Sequence, residues 1–373
     1  MKFRSIIAGV LCAVVCANTA FAAQTSTQEK MVLTYDKAVE LAIKNNSNIS
    51  TLEEAIDLME KNQETTVDRL GNTSVMTSDS ETRTMNATKG TLLTTAKTME
   101  SNIKTSKYNK QLIETGCEYL VKSYFNNIQL AESGLELLKK NYSIQQDSCN
   151  QDLLKFRLGM ISKNDLTASQ NSLAKMKSNV EQTELAIANA YDGLANALGL
   201  KTGTAFEIDY TVEYTPFELG KSVESYISTS LSKDPSIKIY ETKLELAKKL
   251  KSISVYSTQI YSYLEKENNV SSASRELKDA KDAMEKNITA AYNNIKKYEA
   301  ERASLEAALS DAQTTYETAK INCELGNITD FQLKQTELGV LNAENNLLTN
   351  ACNHDLEVFG FNNPSMLGSA SAQ

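Results

Sequence analysis

Residues 125–166 read FNNIQLAESGLELLKKNYSIQQDSCNQDLLKFRLGMISKNDL, and the stretch returns without a gap at residues 292–333 as YNNIKKYEAERASLEAALSDAQTTYETAKINCELGNITDFQL. The offset is constant at 167 (326 − 159), with Gly159 falling on Gly326. Asn126, Asn127 and Ile128 meet Asn293, Asn294 and Ile295, and Glu132 meets Glu299. Leu138 meets Leu305, Ser143 meets Ser310, Gln146 meets Gln313, Ile161 meets Ile328 and Leu166 meets Leu333. A repeat of this kind means two copies of one supersecondary unit. Each copy reads as a long helix, a glycine turn and a returning helix.

Working outward, the N-terminus reads as a secretory signal over residues 1–22. Lys2 and Arg4 give a basic start, Ile6 to Val15 an apolar stretch, and Ala20-Phe21-Ala22 a small-x-small cleavage site. Leu11 and Val15 precede Cys12 and Cys16, so neither cysteine stands in a lipoprotein context. The chain is expected to be exported to the cell envelope. Without the signal, two of the 39 basic residues are lost, leaving 37 against 47 acidic ones and a net charge of −10. A surface of that sign, without basic clusters, argues against nucleic acid and anionic lipid as partners. No later window offers roughly eighteen consecutive apolar residues, so no transmembrane helix is expected.

Breakers are rare. Trp is absent, and proline occurs only at Pro216, Pro235 and Pro364. With Ala, Leu, Glu, Lys, Gln and Asn abundant, the composition favours long uninterrupted helices. Four cysteines follow the signal. Measured from the glycine turns they stand 42 residues before (Cys117), 10 before (Cys149), 3 before (Cys323) and 26 after (Cys352). At about 1.5 Å per residue the closest two levels differ by about 10 Å, too far for a disulfide, so free thiols are expected.

Leu33 to about Lys61 reads as helix with Thr34 as N-cap, broken at Asn45-Asn46-Ser47-Asn48. The second copy repeats this at Val223 to Lys249, broken at Lys233-Asp234-Pro235-Ser236. Residues 71–90, rich in Ser, Thr and Asn, read as loop. Helix is expected from about Leu92 to Arg157 and Lys163 to Leu198, then from about Ser274 to Glu324 and Asp330 to Val358. The alternating run Phe206 to Val212 is the one strand signal. The returning helix carries the clearest period: Leu166, Ser169, Leu173, Met176, Val180, Thr183, Ile187, Ala190, Leu194 and Ala197 keep strict 3–4 spacing. Leu305, Leu309, Ala312, Tyr316, Ala319 and Cys323 do the same on the second long helix. A sustained 3.5 repeat marks a coiled-coil seam. It fits a solvated spectrin-like bundle as well as an assembled barrel.

Several motifs together resemble TolC-family outer membrane efflux proteins. Leu33-Thr34-Tyr35-Asp36-Lys37-Ala38-Val39-Glu40-Leu41-Ala42-Ile43-Lys44-Asn45-Asn46 is similar to the family's opening, L-T-x-x-x-A-(I/V)-x-x-A-L-x-x-N. Leu158-Gly159-Met160-Ile161-Ser162, then Asp165-Leu166, is similar to the first hairpin tip. Leu325-Gly326-Asn327-Ile328-Thr329, then Leu333, is similar to the second. Tyr124-Phe125-Asn126 and Ala291-Tyr292-Asn293 match the A-Y-(F/N)-N step of the long helices. These run in family order over most of residues 33–360. The resemblance implies a homotrimer whose hairpins close a hollow α-helical cylinder. Its tips would dock on a periplasmic adaptor (membrane fusion protein) driven by an inner-membrane pump, and the location would be outer membrane or periplasm.

Two departures stand out. The family's membrane strands, two per repeat, each need about ten alternating residues with interfacial aromatics. Gln63 to Thr95 is polar and lacks aromatics, and Ser252 to Ser274 does not give two alternating strands, so little or no β-barrel is expected. The entrance acids that some members carry after the second tip are replaced by Gln332 and Gln335. Asp165 and Asp330 are the nearby acids, and these four are candidate tunnel-entrance polar residues.

No catalytic residue, metal site or cofactor is expected. The single histidine, His354, beside Asp355, reads as a surface residue, and no Cys/His cluster, phosphate loop or nucleophile elbow occurs. The fold class is all-α, two tandem repeats of long antiparallel coiled-coil hairpins. The domain reading is signal 1–22, first repeat 23–200, linker 201–220, second repeat 221–360 and disordered tail 361–373. An exported envelope rod without transport activity is the main alternative, and a helical pore-forming toxin a weaker one.

Overall fold

The structure, a computed structural model, describes residues 31–71, 79–201, 203–254 and 260–367; the expected signal segment lies outside them. Two long helices, one in each half, organise everything else. In the first half, β1 (Met31–Leu33), α1 (Tyr35–Lys44) and α2 (Ser47–Gly71) lead into α3 (Asp79–Arg157), and α4 (Lys163–Ala197) returns. After β2 (Phe206–Ile208) the second half follows as α5 (Val223–Lys233), α6 (Pro235–Ser254), α7 (Ile260–Glu324), α8 (Asp330–Asn362) and the short α9 (Pro364–Leu367). At 79 residues α3 spans about 120 Å.

Around α3 and α7 the other helices form two rows. Toward the glycine turns the order is α4, α3, α8, α7; toward the opposite end it is α2, α3, α6, α7. Helix α3 is therefore flanked by its own half on one side and by α6 and α8 on the other. Helix α7 makes its main contacts with α5, α6, α8 and α9, all of its own half.

The 3–4 spacing on α4 marks its covered face. Every one of the ten seam positions from Leu166 to Ala197 is buried or half-buried, and the α4 positions between them are exposed up to Asn189. The six seam positions of α7 behave the same way. Two apolar cores sit where the rows meet, and the repeat offset connects them. Cys117, Val121 and Ile128 of the first core correspond to Met284, Ile288 and Ile295 of the second, and Leu194 corresponds to Phe361.

Corrections fall mainly at element ends. Helix α3 begins at Asp79, so the loop expected over 71–90 is helical from there on, and α7 begins at Ile260 rather than near Ser274. Adding residues to an existing helix gains one hydrogen bond per residue fixed, which outweighs the weak propensity of Ser, Thr and a single Gly90. The strand at Phe206 stops at Ile208 and pairs in parallel with Met31–Leu33. Residues 361–367 are not a disordered tail. Phe361 is fully buried against Phe217, Tyr226 and Tyr292, and the Ser365 amide donates to Asp234 Oδ2 at 3.1 Å. Among the described residues, Cys117, Cys149, Cys323 and Cys352 are free thiols.

Candidate functional site

Both glycine turns are built the same way. Gly159 takes φ +72° and Gly326 φ +75°, a left-handed geometry that glycine alone adopts without a Cβ penalty. At the first tip the Met160 amide reaches back to the Lys155 carbonyl (2.8 Å) and the Gly159 amide to Phe156 (2.9 Å). At the second, Asn327 reaches Asn322 (2.8 Å) and Gly326 reaches Cys323 (3.0 Å). These bonds close the outgoing helix. A capping box opens the returning one: Ser162 with Asp165 at the first tip, Thr329 with Gln332 at the second.

The two tips point the same way. Lys334, in the first turns of α8, bonds Asp147 near the end of α3 at 2.8 Å. Both tips carry exposed apolar side chains. Leu158, Met160 and Leu325 are 76%, 69% and 69% exposed, while Ile161 and Ile328 are half-buried beneath them. Leu154, Phe156 and Ile321 add exposed apolar side chains in the last helical turns. Sequence reasoning missed these three; for Ile321 the available signal was a large apolar residue off the seam.

The candidate entrance residues are occupied locally. Asp165 accepts from the Ser162 hydroxyl and amide at 2.8 and 3.0 Å, and these bonds hold its carboxyl below the usual range. Gln332 accepts from the Thr329 amide at 2.9 Å. Asp330 pairs with Lys334 at 3.0 Å, and Gln335 is exposed. Three of the four thus serve helix ends and one ion pair, and the structure does not gather them into a carboxylate cluster.

His354 is not a surface residue. It is 3% exposed, its ring 4.9 Å from that of Tyr214, whose other contact is the Arg302 guanidinium at 3.8 Å. Its Nε2 lies 3.7 Å from Glu299 Oε1, beyond hydrogen-bond length, and burial pushes its pKa down. The linker passes over this spot, with the Phe217 amide donating to Glu299 at 2.6 Å. Among the described residues no group of His, Cys, Asp or Glu could hold a metal ion, and no helix is long and apolar enough to cross a membrane.

Solved structures share this arrangement along nearly the whole chain. A membrane protein from Pseudomonas aeruginosa superposes with a TM-score of 0.66 at 9% identity, covering 95% of this chain and 97% of that one. The Campylobacter jejuni CmeC outer membrane channel gives 0.61 at 15% identity, over 96% and 94%. The open state of the Neisseria gonorrhoeae MtrE outer membrane channel gives 0.65 at 11%, over 90% and 88%. The chain has the fold of the TolC-family outer membrane channels. No protein-family model and no curated protein sequence matches it.

Within the channel fold one departure is large. Where the family places membrane strands, the described residues are helical on both sides, and only residues 72–78 and 255–259 lie between the helices. Among the described residues the only strands are β1 and β2.

Proposed function

We propose that the chain is the conduit component of a tripartite-type efflux or secretion system, a trimeric α-helical tunnel that docks on an adaptor through its hairpin tips. The observation that carries this reading is the unequal cover of two equivalent helices. Where α3 meets α4 and α8, residues 121–153 are mostly buried or half-buried, whereas the equivalent residues 288–320 of α7 are mostly exposed. A repeat that covers one of its long helices twice and the other once is completed by the next copy. Closed rings arise when such head-to-tail contacts close on themselves. The resemblance supplies the number three, and the likeness to the CmeC and MtrE outer membrane channels supplies the outer-membrane context.

The tips suit docking because their apolar side chains are exposed beside rigid turns, and exposed apolar clusters mark contact surfaces. The partners implied are a periplasmic adaptor and an inner-membrane pump, with the protein in the cell envelope. The test is adaptor binding and export in cells carrying Met160→Asp together with Ile328→Asp, with trimer formation checked separately. Loss of binding and export with trimers intact is the expected result. Unchanged binding and export would reduce the tips to turns and favour the envelope rod.

A further inference from the structure

Within the chain, the two halves meet where α3 packs on α6 and on α8, and the α3–α8 seam is marked by charge. Lys122 pairs with Asp355 at 2.9 Å, Lys140 with Glu337, and Asp147 with Lys334 at 2.8 Å. One turn from Lys122 the contact is aromatic, with the Tyr119 and Phe359 rings 5.8 Å apart.

The 167-residue offset carries each of these positions onto the two faces left open at the ends of the row. The α3 positions land on α7 and the α8 positions on α4. Lys122 and Asp355 become Thr289 and Ala188. Lys140 and Glu337 become Ala307 and Gln170, and Asp147 and Lys334 become Thr314 and Thr167. All six are uncharged and exposed. The aromatic pair does the opposite. Tyr119 becomes Lys286 and Phe359 becomes Asp192, two charges of opposite sign. Leu185, 65% exposed on α4, takes the place of Cys352, which is buried on α8.

Resting on the ring reading above, we infer that α7 of one chain packs on α4 of a second copy with Lys286 facing Asp192 of that copy, and with Thr289 beside Ala188. The occupant is a second copy because the same repeat already makes the equivalent contact within the chain. Charge and aromatic positions are exchanged between the two seams, so each seam rejects the other's partner. If α4 of a second copy landed on α3, it would leave Lys122, Lys140 and Asp147 without their partners and set Asp192 against Tyr119. Specificity of this kind comes from penalties on the wrong pairing as much as from the right one. Leu185 is covered in the same contact.

The experiment is a charge swap read by native mass spectrometry and sedimentation of the full exported chain. Lys286→Asp alone and Asp192→Lys alone are expected to raise the concentration at which trimers dissociate by roughly tenfold or more, and the double variant to restore it. Helix content by circular dichroism checks that each variant folds. A second arm places Thr289→Cys and Ala188→Cys in one chain with Cys323→Ser and adds a short bis-maleimide. Covalent dimers and trimers are expected, and neither chain with just one of the two added cysteines should give trimers. Trimers in the wild type, with single variants harmless, the double no better than the singles or no cross-link, would overturn this register and leave the ring standing. A wild-type chain that remains monomeric would overturn both.

Discussion

At Gly159 and Gly326 an added Cβ would meet open space, yet φ is +72° and +75°. Valine at either position is therefore strained by backbone conformation alone. Gly159→Val and Gly326→Val should each lower stability by about 1–2 kcal/mol, read as a drop in the thermal midpoint. Gly199 differs: its φ is +66° and a Cβ there would stand 2.5 Å from Asn45 Cβ, so Gly199→Ala adds a clash to the strain. His354 makes a pH prediction. Burial lowers its pKa in the folded chain from the ordinary 6.5, although Glu299 opposes the shift. Below about pH 6.5 the unfolded chain takes up a proton that the folded chain refuses, so stability is complete above that value and falls as pH drops through it. Thermal melts should show the gap between wild type and His354→Gln narrowing from pH 8 to pH 5.5. A constant gap would mean that His354 does not titrate differently on folding.

Among the elements, the C-terminal segment bears most on stability for its length. Phe361 closes the second core as Leu194 closes the first, and Asp234 Oδ2 receives the Ser365 amide where Asn45 Nδ2 donates to the Leu198 carbonyl. Phe361→Ala should cost about 3–5 kcal/mol, measured by denaturant unfolding; a cost under about 1 kcal/mol would mean the aromatic cluster contributes little. This segment was legible in principle, since Leu194 plus 167 falls on Phe361, but the run of Asn, Pro, Ser and Ala after Gly360 hid it. The seams, the tips and the breaks at Asn46 and Asp234 were readable because each follows a local rule: 3–4 spacing, glycine at positive φ, a side chain that caps. The start of α3 was not readable. Its polar composition matches a loop, and only its continuity with a long packed helix decides the outcome. His354 escaped for a related reason, since the groups that lie against it, Tyr214 of the linker and Glu299 of α7, are remote from it in sequence.

The whole molecule is a row of helices that ends on two unmatched faces, α4 on one side and α7 on the other. That incompleteness, not any single side chain, separates a conduit subunit from an envelope rod. End-on negative-stain images of the purified exported chain are the most direct measurement. The account predicts rings with three-fold symmetry and a central stain-filled opening. Single rods, or solid bundles without an opening, would contradict it.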